Sequence, residues 1–161
     1  MRLSIRRVVP SVACLGVLAL LTGAGFAQSD PQVGVWKLNI AKSKYSPGPA
    51  PKSVLVKSEA IENGLKVAVD TVDAQGKSIH AEWTGKFDGK DYPVKGDPNR
   101  DMVSLKKVDD YTLEVTNKKD GKVTTVNREV FARDGKSRTI TVVGANPQGQ
   151  KINNVTVWER Q

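Results

Sequence analysis

The chain has 161 residues, 25 of them Lys or Arg against 17 Asp or Glu, with one Cys and one His. One cysteine excludes a disulfide within the chain, and one histidine leaves nucleophile–base pairs and multi-histidine metal sites poorly supplied. The formal charge is +8, and aromatics interleaved with the basic residues are sparse, which argues against nucleic acid as a partner.

Residues 1–27 read as a secretory signal. Arg2, Arg6 and Arg7 precede a mostly apolar run from Val8 to Leu21, and the segment ends on small residues at Ala27, where cleavage is expected. The apolar run falls short of the ~20 residues of a membrane span. Cleavage removes the only cysteine, Cys14, and leaves 22 basic against 17 acidic residues, a net +5. The expected location is the periplasm or the extracellular space, with no membrane span. Residues 28–161 form one domain held by its core alone.

That domain holds 18 Val and 9 Thr but only 5 Leu, a balance that favours pleated sheet because β-branched side chains lose rotamer freedom in helices. Trp36, Leu38 and Ile40 alternate with polar residues, as do Leu65, Val67 and Val69, then Ile79, Ala81 and Trp83, then Tyr111, Leu113 and Val115. A period of two marks strands with one buried face. Asn63-Gly64, Gln75-Gly76, Asp88-Gly89, Asp120-Gly121, Asp134-Gly135 and Gln148-Gly149 punctuate the runs as turns. About ten strands result, over 33–40, 53–61, 65–72, 77–86, 91–94, 102–108, 111–117, 122–132, 137–143 and 150–160. Hairpin following hairpin predicts an all-β, antiparallel up-and-down meander, and closure into a barrel removes its exposed edges. A Greek-key sandwich is the alternative.

Gly34-Val35-Trp36 at the head of the first strand resembles the opening of the calycin barrels, the lipocalins and fatty-acid-binding proteins. Asp120 to Val130 is similar to the strand of the latter family that carries an inward arginine, and Asn154 to Arg160 is similar to its last strand. The resemblance implies a cavity-forming barrel that binds a small hydrophobic or amphiphilic anion, with Arg128 as an internal anchor and Trp36, Trp158 and Thr156 as candidate ligand contacts. Thr156 and Trp158 stand where those binders place the Arg and Tyr that hold a carboxylate, and the helical lid is replaced by residues 41–52, with Pro47, Pro49 and Pro51. The chain also resembles small secreted bacterial proteins with a Trp-Lys-Leu-Asn opening, a likeness that implies no particular activity.

In a meander the connections alternate between the two ends. Those expected at 41–52, 73–77, 95–101, 117–122 and 144–151 share one end and carry most of the positive charge, which suits the entrance of an anionic ligand. Lys42, Lys44, Lys52, Lys118 and Lys119 are its candidate rim. His80 falls on the Ser78/Glu82 side of its strand, toward water, and with Glu82 supplies two metal ligands where zinc wants three or four. No catalytic residue, metal site or cofactor is expected. The alternative to ligand binding is a filled structural or interaction module of the cell envelope; an enzyme is a third reading.

Overall fold

The computed structural model describes residues 30–146 and 148–161. The signal segment and its cleavage near Ala27 lie outside the described residues. Ten strands follow in chain order: β1 (Gly34–Lys44), β2 (Ser53–Ile61), β3 (Gly64–Val72), β4 (Ser78–Lys86), β5 (Tyr92–Lys95), β6 (Met102–Asp109), β7 (Thr112–Lys119), β8 (Lys122–Phe131), β9 (Ser137–Ala145) and β10 (Lys151–Arg160). There is no helix among the described residues.

Each strand pairs antiparallel with the one before it, and β10 returns to β1, so the meander closes into a barrel and the sandwich alternative falls away. The closing register sets Trp36 opposite Arg160 and Leu38 opposite Trp158. Asp120 and Gly121 both take positive φ, 49° and 76°, in the two-residue turn between β7 and β8. Such a turn matches the right-handed twist of the flanking strands, and Asp-Gly tolerates it. The seams differ in strength: β1 and β2 share four residue pairs, whereas β2 with β3 and β3 with β4 share nine each.

The first strand runs to Lys44 rather than ending at Ile40. Beyond Asn39 the register with β10 shifts, and Lys44 comes to lie opposite Val155. Side chains hold the extra residues: the Asn39 carboxamide oxygen accepts the Lys42 N–H, and the Ser43 hydroxyl donates to the Asn39 carbonyl while accepting the Val157 N–H. The proline-rich connection is therefore 45–52. It is tied to β10, Ser46 accepting the Asn153 N–H on its carbonyl and donating its own N–H to the Asn154 side chain.

The core packs about the start of β1 and reaches along β6 as far as Val103, opposite Asn117. Trp36, Val103 and Leu105 have no measurable exposure, and Leu113, Phe131 and Trp158 are buried around them. Phe131 meets the Trp36 ring edge-on at 5.6 Å. An aromatic of Trp36's size buries about 150–250 Å², worth about 4–6 kcal/mol of transfer free energy at ~25 cal/mol/Å² before entropy is charged. Residues 30–33 turn beneath this core, Asp30 accepting the backbone N–H groups of Gln32 and Val33. Arg160 fastens them, donating to the carbonyls of Pro31, Val33 and Gly135.

Candidate functional site

At the opposite end of the barrel a pocket of about 370 Å³ opens between the 96–101 loop, the upper parts of β7, β8 and β9, and the turn before β10. Asp97, Asn99, Arg100, Asn117, Thr125, Asn127 and Asn146 give it a polar wall; Val142, Ala145 and Ile152 give it an apolar one. Strand parity delivers the polar residues. Asn117 continues the inward row of Leu113 and Val115, and Asn127 that of Glu129 and Phe131. A bulge where Asn117 and Lys118 meet Thr125 and Val123 lets Thr124 leave the ladder, and its hydroxyl donates to the Asn117 carbonyl.

Arg100 is the organising cation. Its Nε donates to Asp97 Oδ2 and its Nη1 to Asn117 Oδ1, both at 2.8 Å, and its side chain is only 17% exposed. Asn117 passes the connection on, donating to Thr125 Oγ1 at 2.9 Å and to Asn127 Oδ1 at 3.4 Å. A guanidinium has five N–H donors, so donors remain for an incoming acceptor. The loop that carries Arg100 is pinned to the β7–β8 hairpin: the Asp101 N–H donates to the Lys118 carbonyl, and Asp101 Oδ2 accepts the Asp120 N–H.

Beneath this floor the interior narrows to a chamber of about 70 Å³, which Arg100 and Asn127 also line. Its polar lining includes Gln32, Ser58, Glu129 and Arg138. Arg138 Nη1 donates to Glu129 Oε2 at 2.8 Å. The guanidinium carbon lies 5.0 Å from the ring centroids of both Trp36 and Trp158 and 5.6 Å from that of Phe131. Burial lowers the Arg138 pKa and nearby Arg160 lowers it further, while Glu129 opposes both. Aromatic faces attract a cation more strongly once it is desolvated. Among the described strand residues, Arg138 on β9 is thus an arginine that points inward.

Arg128 is not that residue. It is exposed on the outer surface, opposite Glu114 of β7. Both faces of β8 carry apolar residues, and the phase is decided by Phe131 packing on Trp36 and Glu129 pairing with Arg138. Trp36, Trp158 and Thr156 are buried, but none of them lines the pocket. The Thr156 hydroxyl accepts the Trp158 indole N–H at 2.9 Å and donates to the Ile140 carbonyl, so both of its roles are structural.

None of the five candidate rim lysines lines the pocket either. Lys42 lies within β1 and pairs with Glu159 at 2.9 Å; Lys118 pairs with Asp91 at 2.7 Å and Lys119 lies 4.0 Å from Asp101. Lys44 and Lys52 are exposed. His80 is on the outer face, its Nδ1 2.6 Å from Asp70 Oδ1. Among the described residues no three His, Cys, Asp or Glu side chains gather as a metal site. Sequence reasoning passed over Arg100, Asn117 and Asn127; the signal it could have used is a carboxamide falling in step with Leu113 and Val115 on the buried face. No protein-family model matches the chain, and no curated protein matches it significantly.

Proposed function

We propose that this is an exported binding protein of calycin type for a compact amphiphilic anion, taken up at the barrel end bounded by the 96–101 loop. The observation that carries this reading is the two-sided pocket of about 370 Å³, within the range of small-molecule sites: a guanidinium among carboxamides and hydroxyls faces an aliphatic wall of Val142, Ala145 and Ile152. An acidic group would bond the free donors of Arg100 in competition with Asp97, while its apolar part would rest on the aliphatic wall. The packed lower half favours a short ligand over a long acyl chain. Export is supported by the charged, apolar and small-residue succession of residues 1–27, and the calycin likeness by the ten-stranded closed meander headed by Gly34-Val35-Trp36.

Calorimetric titration with short alkyl and aryl carboxylates, beside their uncharged amides, tests the reading. Carboxylates should bind more tightly than the amides, Arg100→Met should weaken them at least about tenfold, and Asp97→Asn should strengthen them by removing the internal competitor. Binding to neither series, or binding indifferent to both substitutions, would overturn it.

The competing reading is a ligand-free interaction module. It is favoured by the exposure of Val123, Val143 and Val155 on neighbouring strands β8, β9 and β10. A protein that associates through this face and ignores the carboxylates would support it.

A further inference from the structure

The chamber beneath Arg100 and Asn127 has properties of its own. Gln32 is completely buried, and neither its amide nitrogen nor its amide oxygen has a hydrogen-bond partner. Two other lining residues carry buried donors in the same condition, the Trp83 indole N–H and the Arg138 Nε–H. Leaving such groups unpaired is costly, and native interiors pair nearly all of them. Three residues that line one space thus carry unpaired buried N–H donors, against a single unpaired acceptor among them, the Gln32 oxygen. Ser58, 4% exposed, contributes a hydroxyl that can rotate to donate.

Charge points the same way. The ionisable lining groups are Arg100, Arg138 and Glu129, two cations and one anion. Asp97, which balances Arg100, lines the outer pocket and not the chamber. Arg160 adds a further positive charge behind Trp36, its hydrogen bonds made to backbone carbonyls. The remaining wall is aliphatic and aromatic, including Val56, Val67 and Leu113, and screens little. The volume of about 70 Å³ exceeds the ~10–15 Å³ that one water requires on the same measure. A monovalent anion brings only acceptors, which matches the excess of unpaired donors over unpaired acceptors.

We propose that this chamber is a binding site for one small monovalent anion of halide or nitrate size, separate from the outer pocket and able to stabilise the barrel from within. Gln32, Trp83 and Arg138 supply the donors. Gln32 belongs to the segment that Arg160 fastens across the barrel end, so an anion held there also ties that segment to the core.

Thermal unfolding of the cleaved protein at constant ionic strength tests this, with sodium gluconate replaced stepwise by chloride, nitrate or sulfate. Chloride and nitrate should raise the Tm by about 4–8 °C per tenfold in concentration once above the dissociation constant, and sulfate should not. Trp83→Phe and Gln32→Leu should each flatten that dependence while leaving carboxylate titration at the outer pocket unchanged, so this site and the outer one fail separately. Bromide soaked into crystals should give an anomalous peak among Gln32, Trp83 and Arg138. The same Tm in all four salts, or an anion dependence surviving both substitutions, would overturn the proposal. Should Trp83→Phe not fold, Gln32→Leu and the bromide position decide the matter.

Discussion

The guanidinium carbon of Arg160 lies 4.5 Å from the centroid of the Trp36 ring, and it reaches that position across Gly34. A Cβ on residue 34 would stand 2.5 Å from Arg160 Nη1, and the backbone there has φ +136°. The spacing of glycine and tryptophan in the first strand is therefore a packing requirement: the glycine leaves room for the arginine that covers the tryptophan. Three carbonyls hold that guanidinium, so it cannot swing aside without losing hydrogen bonds. Gly34→Ala is expected to cost about 2–4 kcal/mol in urea unfolding, from backbone strain and lost hydrogen bonds together. A loss below about 0.5 kcal/mol, the scale of an ordinary surface substitution, would show that Arg160 is not confined.

Arg138 and Glu129 form the buried ion pair of the core, with side chains 5% and 11% exposed. Removing one partner strands the other charge, which typically costs about 3–5 kcal/mol, whereas replacing both with apolar residues of similar size is often neutral. Arg138→Met and Glu129→Leu should each be strongly destabilising, and the double substitution should recover most of the loss. Additive losses in the double-mutant cycle would mean that the two side chains act independently, against their 2.8 Å contact.

The fold was legible because its determinants are local. Asp120-Gly121 names its own turn, and the alternation around Leu65, Val67 and Val69 names its own buried face. The candidate site was far less so. Val126 and Val130 share a face with Arg128, and Phe131 lies on the other, so β8 alone does not say which side is inside. Trp36 settles it through a contact distant in sequence. Arg100 sits in an irregular loop whose position depends on Asp97 and Asn117. None of the lysines read from loop charges as a rim lines the pocket, and Lys42 and Lys118 pair instead with Glu159 and Asp91. Charge sums over loops carry no information about where long side chains turn.

His80 and Asp70 sit opposite one another on β4 and β3. The hydrogen bond that His80 donates to Asp70, then the charge of Asp70, raise the His80 pKa above that of a free imidazole. A raised folded-state value means that the pair's contribution is fully present below the unfolded pKa of ~6.5 and is lost as pH rises through the folded one. Both side chains are about 60% exposed, so the effect on stability is small. In an NMR titration the His80 midpoint should lie above ~6.5 and fall toward it in Asp70→Asn. Stability of the native sequence relative to that variant should decline slightly from acid to alkaline pH. A midpoint that Asp70→Asn leaves in place would remove the pair from consideration.

The seam between β1 and β10 depends on a side chain as well as on the backbone ladder. Where the register shifts beyond Asn39, the Val157 N–H finds the Ser43 hydroxyl at 3.0 Å, and that hydroxyl in turn donates to the Asn39 carbonyl at 2.6 Å. Ser43→Ala deletes both bonds while leaving the chain direction free to persist. An unsatisfied, partly buried N–H costs about 1–3 kcal/mol, so the variant should lose stability on that scale. The local signature is sharper than the global one: the Val157 amide should exchange with deuterium faster in Ser43→Ala, while amides in the nine-pair ladder of β3 and β4 should change only by the global loss of stability. Unchanged protection at Val157 would mean that some other acceptor closes this seam. A uniform acceleration throughout the barrel would mean that β1 and β10 open only when the whole molecule unfolds.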